Sequence, residues 1–243
     1  MTLPDLDLEE QAAQEKTIIS TGNAEIDNKM GGGIPVGSLT LIDGDSHSGK
    51  SVLAQQMIWG SLHDGFRVSL FTTENTVQSL IKQMQSLSID VLDFLLVGFL
   101  RVYPMRVARA NSRLLQELIT AIKKEQERGM EVIFIDAITP AIVVTEETDV
   151  LAYFEDCKKL CAQGLTIVNV VHSHALSQDF LVRLTSLCDA HLRLRTEEVG
   201  ERLVKMMEVA KIRGATKTTG NIVSFEIEPG WGMRIIPLSK AKG

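Results

Sequence analysis

Between Gly44 and Ser51 the chain reads GDSHSGKS: a glycine, four variable residues, then Gly49, Lys50 and Ser51. The spacing G-x-x-x-x-G-K-[ST] suits a loop whose backbone N–H groups close around phosphate oxygens. Its context agrees. SLTLIDG reads as a strand leading into the loop and KSVLAQQMIWGSLHDG as a helix leaving it, so the positive end of a helix dipole faces the anion. In this reading Gly44, Asp45, Ser46, His47, Ser48, Gly49, Lys50 and Ser51 cradle the phosphates of ATP. Lys50 reaches the β- and γ-phosphates, and the Ser51 hydroxyl ligates Mg2+. The alternative is a chance Gly-Lys-Ser at a helix start, and the strand–loop–helix succession argues against it.

Four further groups stand where strands should end, the edge at which parallel sheets bind ligands. EVIFID ends in Asp136, an acid placed to hold Mg2+ through its water shell. Ala137 follows, so no second carboxylate stands there as a base. RVSLFTTEN places Glu74 just past another strand, where a carboxylate orients an attacking water; the competing reading is that Thr73, Glu74 and Asn75 cap the next helix. VVHSHA brings His172, Ser173 and His174 to a third strand end, either as γ-phosphate sensors or as half-buried residues with satisfied partners. KIRG carries Lys211 and Arg213, two cations one residue apart that suit an anion held by a neighbouring subunit or a solvated sheet edge.

The elements that must position these groups alternate regularly. RVSLF, FLRVYP, EVIFID and LTIVNVV read as strands. Between them TVQSLIKQMQSL, NSRLLQELITAIKKEQERG, DVLAYFEDCKKLCAQG and SQDFLVRLTSLC read as helices. After Asp189 the pattern changes to a run of strands, AHLRLRTEE, RLVKMMEVAKIRG, IVSFEIEPG and MRIIPL, with turn signals at Gly200, Gly214 to Gly220 and Pro229-Gly230. The expected fold is α/β: a mostly parallel central sheet flanked by helices, with antiparallel C-terminal strands at one edge. Residues 1–16 form an acidic tail and residues 17–239 one domain.

Composition narrows the function classes. The 243 residues are 44% hydrophobic and 23% charged, with 25 Lys and Arg against 31 Asp and Glu, a net charge of −6. That balance disfavours broad nucleic-acid binding. Three cysteines make no disulfide framework, and Cys157, Cys161 and Cys188 read as buried core thiols. The longest apolar run, Val91 to Leu100, is broken by Asp93 and is too short to cross a bilayer, so membrane association has to come through partners. A reduced, cytoplasmic location is expected. Trp231 and Phe225 are possible adenine linings, although core packing explains them equally.

At this point the residues resemble a known group. TGNAEIDNKMGGGIPVGSLTLIDG, the phosphate loop, FIDAIT and VAKIRG…FEIEPGWGMRI are similar to the KaiC-type branch of the RecA superfamily. GGGIPVGSL, GKSVLAQQ, TTENT, IKQMQSL and RVYP resemble, more narrowly, the FlaH (also ArlH) family of archaellum motor accessory proteins, from about Thr17 to Leu238. The resemblance implies a RecA-like P-loop NTPase core that binds ATP, forms a ring of six subunits, and sits at the cytoplasmic face of the membrane in the archaellum base. Its implied partners are the motor ATPase FlaI and the cytoplasmic ring components. It also implies weak or absent hydrolysis, with nucleotide binding governing assembly. By position Lys50, Ser51 and Asp136 match the two Walker motifs, Glu74 the RecA-type glutamate, and Lys211 and Arg213 the cations that touch a neighbour's nucleotide. KaiC carries two such domains and adjacent acids after its second strand, whereas here Asn75 follows Glu74. An active ATPase is the alternative. A DNA-handling recombinase paralogue is less well supported, because Thr139 to Val150 holds Glu146, Glu147 and Asp149 and no Lys or Arg.

Overall fold

The computed structural model describes residues 16–106, 113–199, 202–215 and 221–236. The acidic tail up to residue 15, the turn at Gly200, most of the Gly214–Gly220 turn and residues 237–239 lie outside them. The described chain opens with β1 (Ile18–Ile19), α1 (Ala24–Lys29) and β2 (Ile34–Pro35), β1 and β2 forming a small antiparallel pair. Then follow β3 (Leu39–Gly44), α2 (Lys50–His63), β4 (Val68–Thr72), α3 (Val77–Ser86), α4 (Leu92–Leu96) and β5 (Leu100–Pro104). The second half runs α5 (Leu114–Glu127), β6 (Val132–Asp136), α6 (Thr139–Ile142), α7 (Glu147–Cys161), β7 (Thr166–His172) and α8 (Gln178–Leu187). It closes with β8 (Ala190–Val199), β9 (Arg202–Ile212), β10 (Ile222–Glu228) and β11 (Gly232–Ile236). Each expected helix and strand forms over its described residues; α1, α4, α6 and the β1–β2 pair are short additions.

Nine strands make one sheet in the order β11-β10-β9-β8-β3-β7-β6-β4-β5. The run from β8 to β5 is parallel, and β9, β10 and β11 extend it antiparallel at one edge. The strands β3, β4 and β6 are buried along their whole length, which is why LTLIDG, VSLFT and VIFID read as near-continuous apolar runs. Two cores explain the pattern. One face packs Ile42, Leu70 and Phe134 under α1, α2 and α3; the other packs Leu41, Ile133 and Ile135 under α5, α6, α7 and α8. Cys157, Cys161 and Cys188 lie in the second core as free thiols, and burial pushes Cys161 and Cys188 up to about 12, so they are inert hydrophobes at neutral pH.

Helix α2 is buried nearly all round, so its fit depends on what lies against each turn. At Gly60 the loop after β1 crosses it closely: a Cβ there would stand 2.4 Å from the Ser20 carbonyl oxygen and 2.5 Å from the Gly22 nitrogen. Intrinsic propensity favours alanine over glycine in a helix by about 1 kcal/mol. The backbone clash outweighs it, so Gly60→Ala should destabilise the fold by about 2 kcal/mol, read as a lowered denaturation midpoint at unchanged slope.

Candidate functional site

The parallel register aligns the carboxyl ends of the central strands. Gly44 of β3 lies opposite His172 of β7 and Leu194 of β8, and Asp136 of β6 lies opposite Thr72 of β4. The phosphate loop leaves this edge at Gly44, where the backbone packs so tightly that a Cβ would fall 1.9 Å from the Leu194 carbonyl oxygen. The Asp45 carbonyl then gathers three donors: the Ser48 N–H at 3.3 Å, the Ser48 hydroxyl at 2.8 Å and the Lys50 ammonium at 2.5 Å. Past Gly44, two loop residues are left-handed, His47 at φ 62° and Gly49 at φ 99°. Such left-handed turns between ordinary residues aim successive N–H groups into one concavity, an anion-binding nest. Glycine takes this conformation freely, whereas for His47 it costs on the order of 1 kcal/mol.

The loop walls a cavity of about 410 Å³, within the range of nucleotide-sized pockets, completed by Glu74, Gln83, His172 and Ile227. Behind it Ser51 Oγ donates to Asp136 Oδ1 at 3.2 Å. Asp136 is almost wholly buried, and burial pushes its carboxyl up to about 7; the Ser51 hydrogen bond and Lys50 pull it down, and Glu74 pushes it further up. Burial likewise lowers the Lys50 ammonium, against the raising influence of Asp136, Asp45, Asp43 and Glu74. Thr73 braces the edge between these groups: its N–H donates to the Asp136 carbonyl at 2.9 Å, and its hydroxyl bonds both backbone groups of Ala137.

The structure therefore brings Lys50, Ser51, Glu74, Asp136 and His172 to one edge. The cap of α3 is Thr76, in a capping box with Ser79, so Glu74 is free of that duty. His172 faces the cavity with its Nδ1 3.3 Å from Thr139 Oγ1, and burial followed by Lys50 lowers its basicity. Ser173 lines a separate hollow on the other side of the loop together with Asp45, its hydroxyl 3.4 Å from Asp45 Oδ1. Lys211 and Arg213 are not part of this edge. Lys211 pairs with His191, three residues back from Leu194 along β8, on the order of 10 Å toward the opposite end of the sheet. There Lys211 Nζ donates to the Thr185 and Cys188 carbonyls at the end of α8, while Arg213, beyond the end of β9, stands 3.7 Å from Asp189. Phe225 is core and packs against Gly49, whereas Trp231 is 76% exposed in the β10–β11 turn, so core packing does not account for it. Gln83 and Ile227 were not legible as cavity residues: one is a polar position of an amphipathic helix, the other an apolar position of a strand.

Ser51 and Asp136 fit Mg2+, which takes hard oxygen ligands, keeps several waters and needs only one or two carboxylates beside phosphate. Among the described residues no cluster of three His, Cys, Asp or Glu offers an all-protein metal cage.

The family model for the KaiC ATPase matches residues 19–240. The archaeal flagellar ATP-binding protein FlaH of Sulfolobus acidocaldarius is 29% identical over 228 residues, covering 93% of this chain and 99% of that protein. FlaH of Methanocaldococcus jannaschii is 26% identical, covering 89% and 94%. The crystal structure of the flagellar accessory protein FlaH from the same organism superposes with a TM-score of 0.80 at 25% identity, over 91% of this chain and 99% of that one.

The Asp136 environment sets a pH dependence. Its carboxyl titrates about 7 when folded and near the ordinary 3.8 when unfolded, so the native state binds this proton more tightly. Without nucleotide, its contribution to stability is full below pH 4 and is lost as pH rises through 7. Only the ionised carboxylate attracts Mg2+, so the gain in nucleotide affinity on adding Mg2+ should grow between pH 6 and 8 and level off above. In Asp136→Asn the gain should shrink and lose its rise beyond that due to ATP's own terminal phosphate, as calorimetry across that range would show against a buffer-only Mg-ATP control.

Proposed function

The chain belongs to the KaiC family of ATPases, and on that premise we propose that it is the ATP-binding regulatory component of an archaellum motor and assembly machine. ATP with Mg2+ controls ring assembly and engagement of the motor ATPase FlaI, with weak or no hydrolysis. Similarity to FlaH proteins over nearly the whole chain supports the archaellum assignment. One observation carries the regulatory reading: loop, Glu74 and Asp136 share one edge of the sheet, while Lys211 and Arg213 stand toward the other. Lys50 is the one Lys or Arg among the described residues lining the cavity. Further cations for the γ-phosphate come from a neighbour's Lys211 and Arg213, in a head-to-tail ring that we take to be a hexamer. A nucleotide held between subunits has different affinity for the assembled and dissociated states, and that difference drives assembly.

ATP itself is held by Gly44 to Ser51. Lys50 exchanges the Asp45 carbonyl for phosphate oxygens, and Ser51 and Asp136 hold the Mg2+. Glu74 is exposed and lies at the cavity wall, which favours a second reading in which it positions water for hydrolysis. Nothing comparable favours nucleic acid: the α6–α7 junction presents exposed Val143 and Val144 followed by Glu146, Glu147 and Asp149. No described helix is long and apolar enough to cross a membrane, so a place at its cytoplasmic face rests on the archaellum partners.

Lys50→Ala should abolish nucleotide binding and weaken FlaI association at least tenfold in a pull-down titration; unchanged FlaI affinity in the nucleotide-free variant would sink the switch. Steady-state phosphate release separates the second reading. The regulatory account expects a rate near background in both wild type and Glu74→Gln, whereas a clear wild-type rate lost in Glu74→Gln would make the protein an active ATPase.

A further inference from the structure

The phosphate loop is held from outside by a residue of no nucleotide-binding motif. Lys205, on the antiparallel strand β9, donates from Nζ to the carbonyl of His47 at 2.8 Å. Its cross-strand partner on β10 is Phe225, whose ring lies where a Cβ on Gly49 would come within 3.1 Å. Directly opposed residues on neighbouring strands present their side chains to one face. One cross-strand pair therefore meets both left-handed residues of the loop, the ammonium at His47 and the ring at Gly49. The two contacts differ in kind. Gly49 needs no help to be left-handed and is fixed by packing; His47 carries a side chain that disfavours this conformation and is fixed by a hydrogen bond to its carbonyl.

We propose that Lys205 is a positioning residue for nucleotide binding, acting through the His47 carbonyl to keep a non-glycine residue left-handed and the nest of N–H groups open toward the phosphates. That carbonyl turns out toward Lys205, while the N–H of the same peptide, on Ser48, turns to the Asp45 carbonyl at 3.3 Å and closes the loop's turn. Without the tether, His47 relaxes toward ordinary backbone angles, and part of the binding free energy is spent on restoring the nest. The β9–β10 extension, which contributes no motif residue to the loop, thereby helps to set nucleotide affinity. The inference rests on phosphate binding at Gly44 to Ser51 and names a support for that same site.

The test is a double-mutant cycle read by fluorescence titration with a labelled ATP analogue, with Lys50→Ala as the control for the site itself. Lys205→Met should weaken binding about fivefold in the otherwise natural chain, the size expected for losing one charge-assisted hydrogen bond at a partly exposed position. In the His47→Gly background, where the left-handed conformation is free, the same substitution should weaken binding less than twofold. Equal weakening in both backgrounds would overturn the proposal, because Lys205 would then act through its charge on the phosphates. No weakening in either background would overturn it as well, provided Lys50→Ala abolishes binding. If Lys50→Ala binds normally, the reading of the site fails first and the tether fails with it. Circular dichroism melts of each variant confirm that the fold is retained.

Discussion

The parallel register that sets Gly44 beside His172 and Leu194, and Asp136 beside Thr72, is the constraint on which the rest of the site depends. Strands paired this way deliver their carboxyl ends to one edge, so the groups that follow them converge without any long-range design of the loops. The register is itself protected by burial. Strands β3, β4 and β6 carry apolar side chains on both faces, and a shift of one residue would exchange the contents of the two cores. Gly44 adds a local lock, since its backbone approaches Leu194 more closely than any side chain permits. Sequence periodicity, core packing and the placement of catalytic-type residues are thus one fact seen at three scales.

At that edge the chemistry is set by dehydration. Lys50 and Asp136 are both drawn out of water, and burial pushes each toward its neutral form. A nucleotide with Mg2+ relieves both tendencies together, because phosphate charge favours the ammonium and the metal favours the carboxylate. Under the proposed function, this coupling is what would make the filled site differ from the empty one. Within one chain Lys211 and Arg213 stand away from this edge, Lys211 on the Thr185 and Cys188 carbonyls at the end of α8 and Arg213 beside Asp189.

Local pattern carried much of this. GDSHSGKS with a strand before it and a helix after it identified the loop, and EVIFID and RVSLFTTEN placed Asp136 and Glu74, because strand ends in a parallel sheet are positions of known meaning. What stayed hidden depends on pairing between distant strands. The sequence places Lys205 mid-strand, but its reach to His47 follows from β8–β9 and β9–β10 register, which no local signal encodes. The same holds for Lys211 and Arg213, whose types suggested an anion while their separation from the chain's own loop emerged only from the sheet. Trp231 could be read as core from its type alone, and its exposure follows from the turn that carries it beyond β10.

The regulatory account stands or falls on whether nucleotide controls association of this chain with itself. Native mass spectrometry of the purified full chain, with Mg2+ and a non-hydrolysable ATP analogue and again after nucleotide removal, tests this most directly. The account predicts a closed ring, of six subunits as the family resemblance implies, with one nucleotide per subunit, dissociating to small species when the nucleotide is withdrawn. An identical distribution of masses in the two conditions, with nucleotide bound in one and absent in the other, would contradict it.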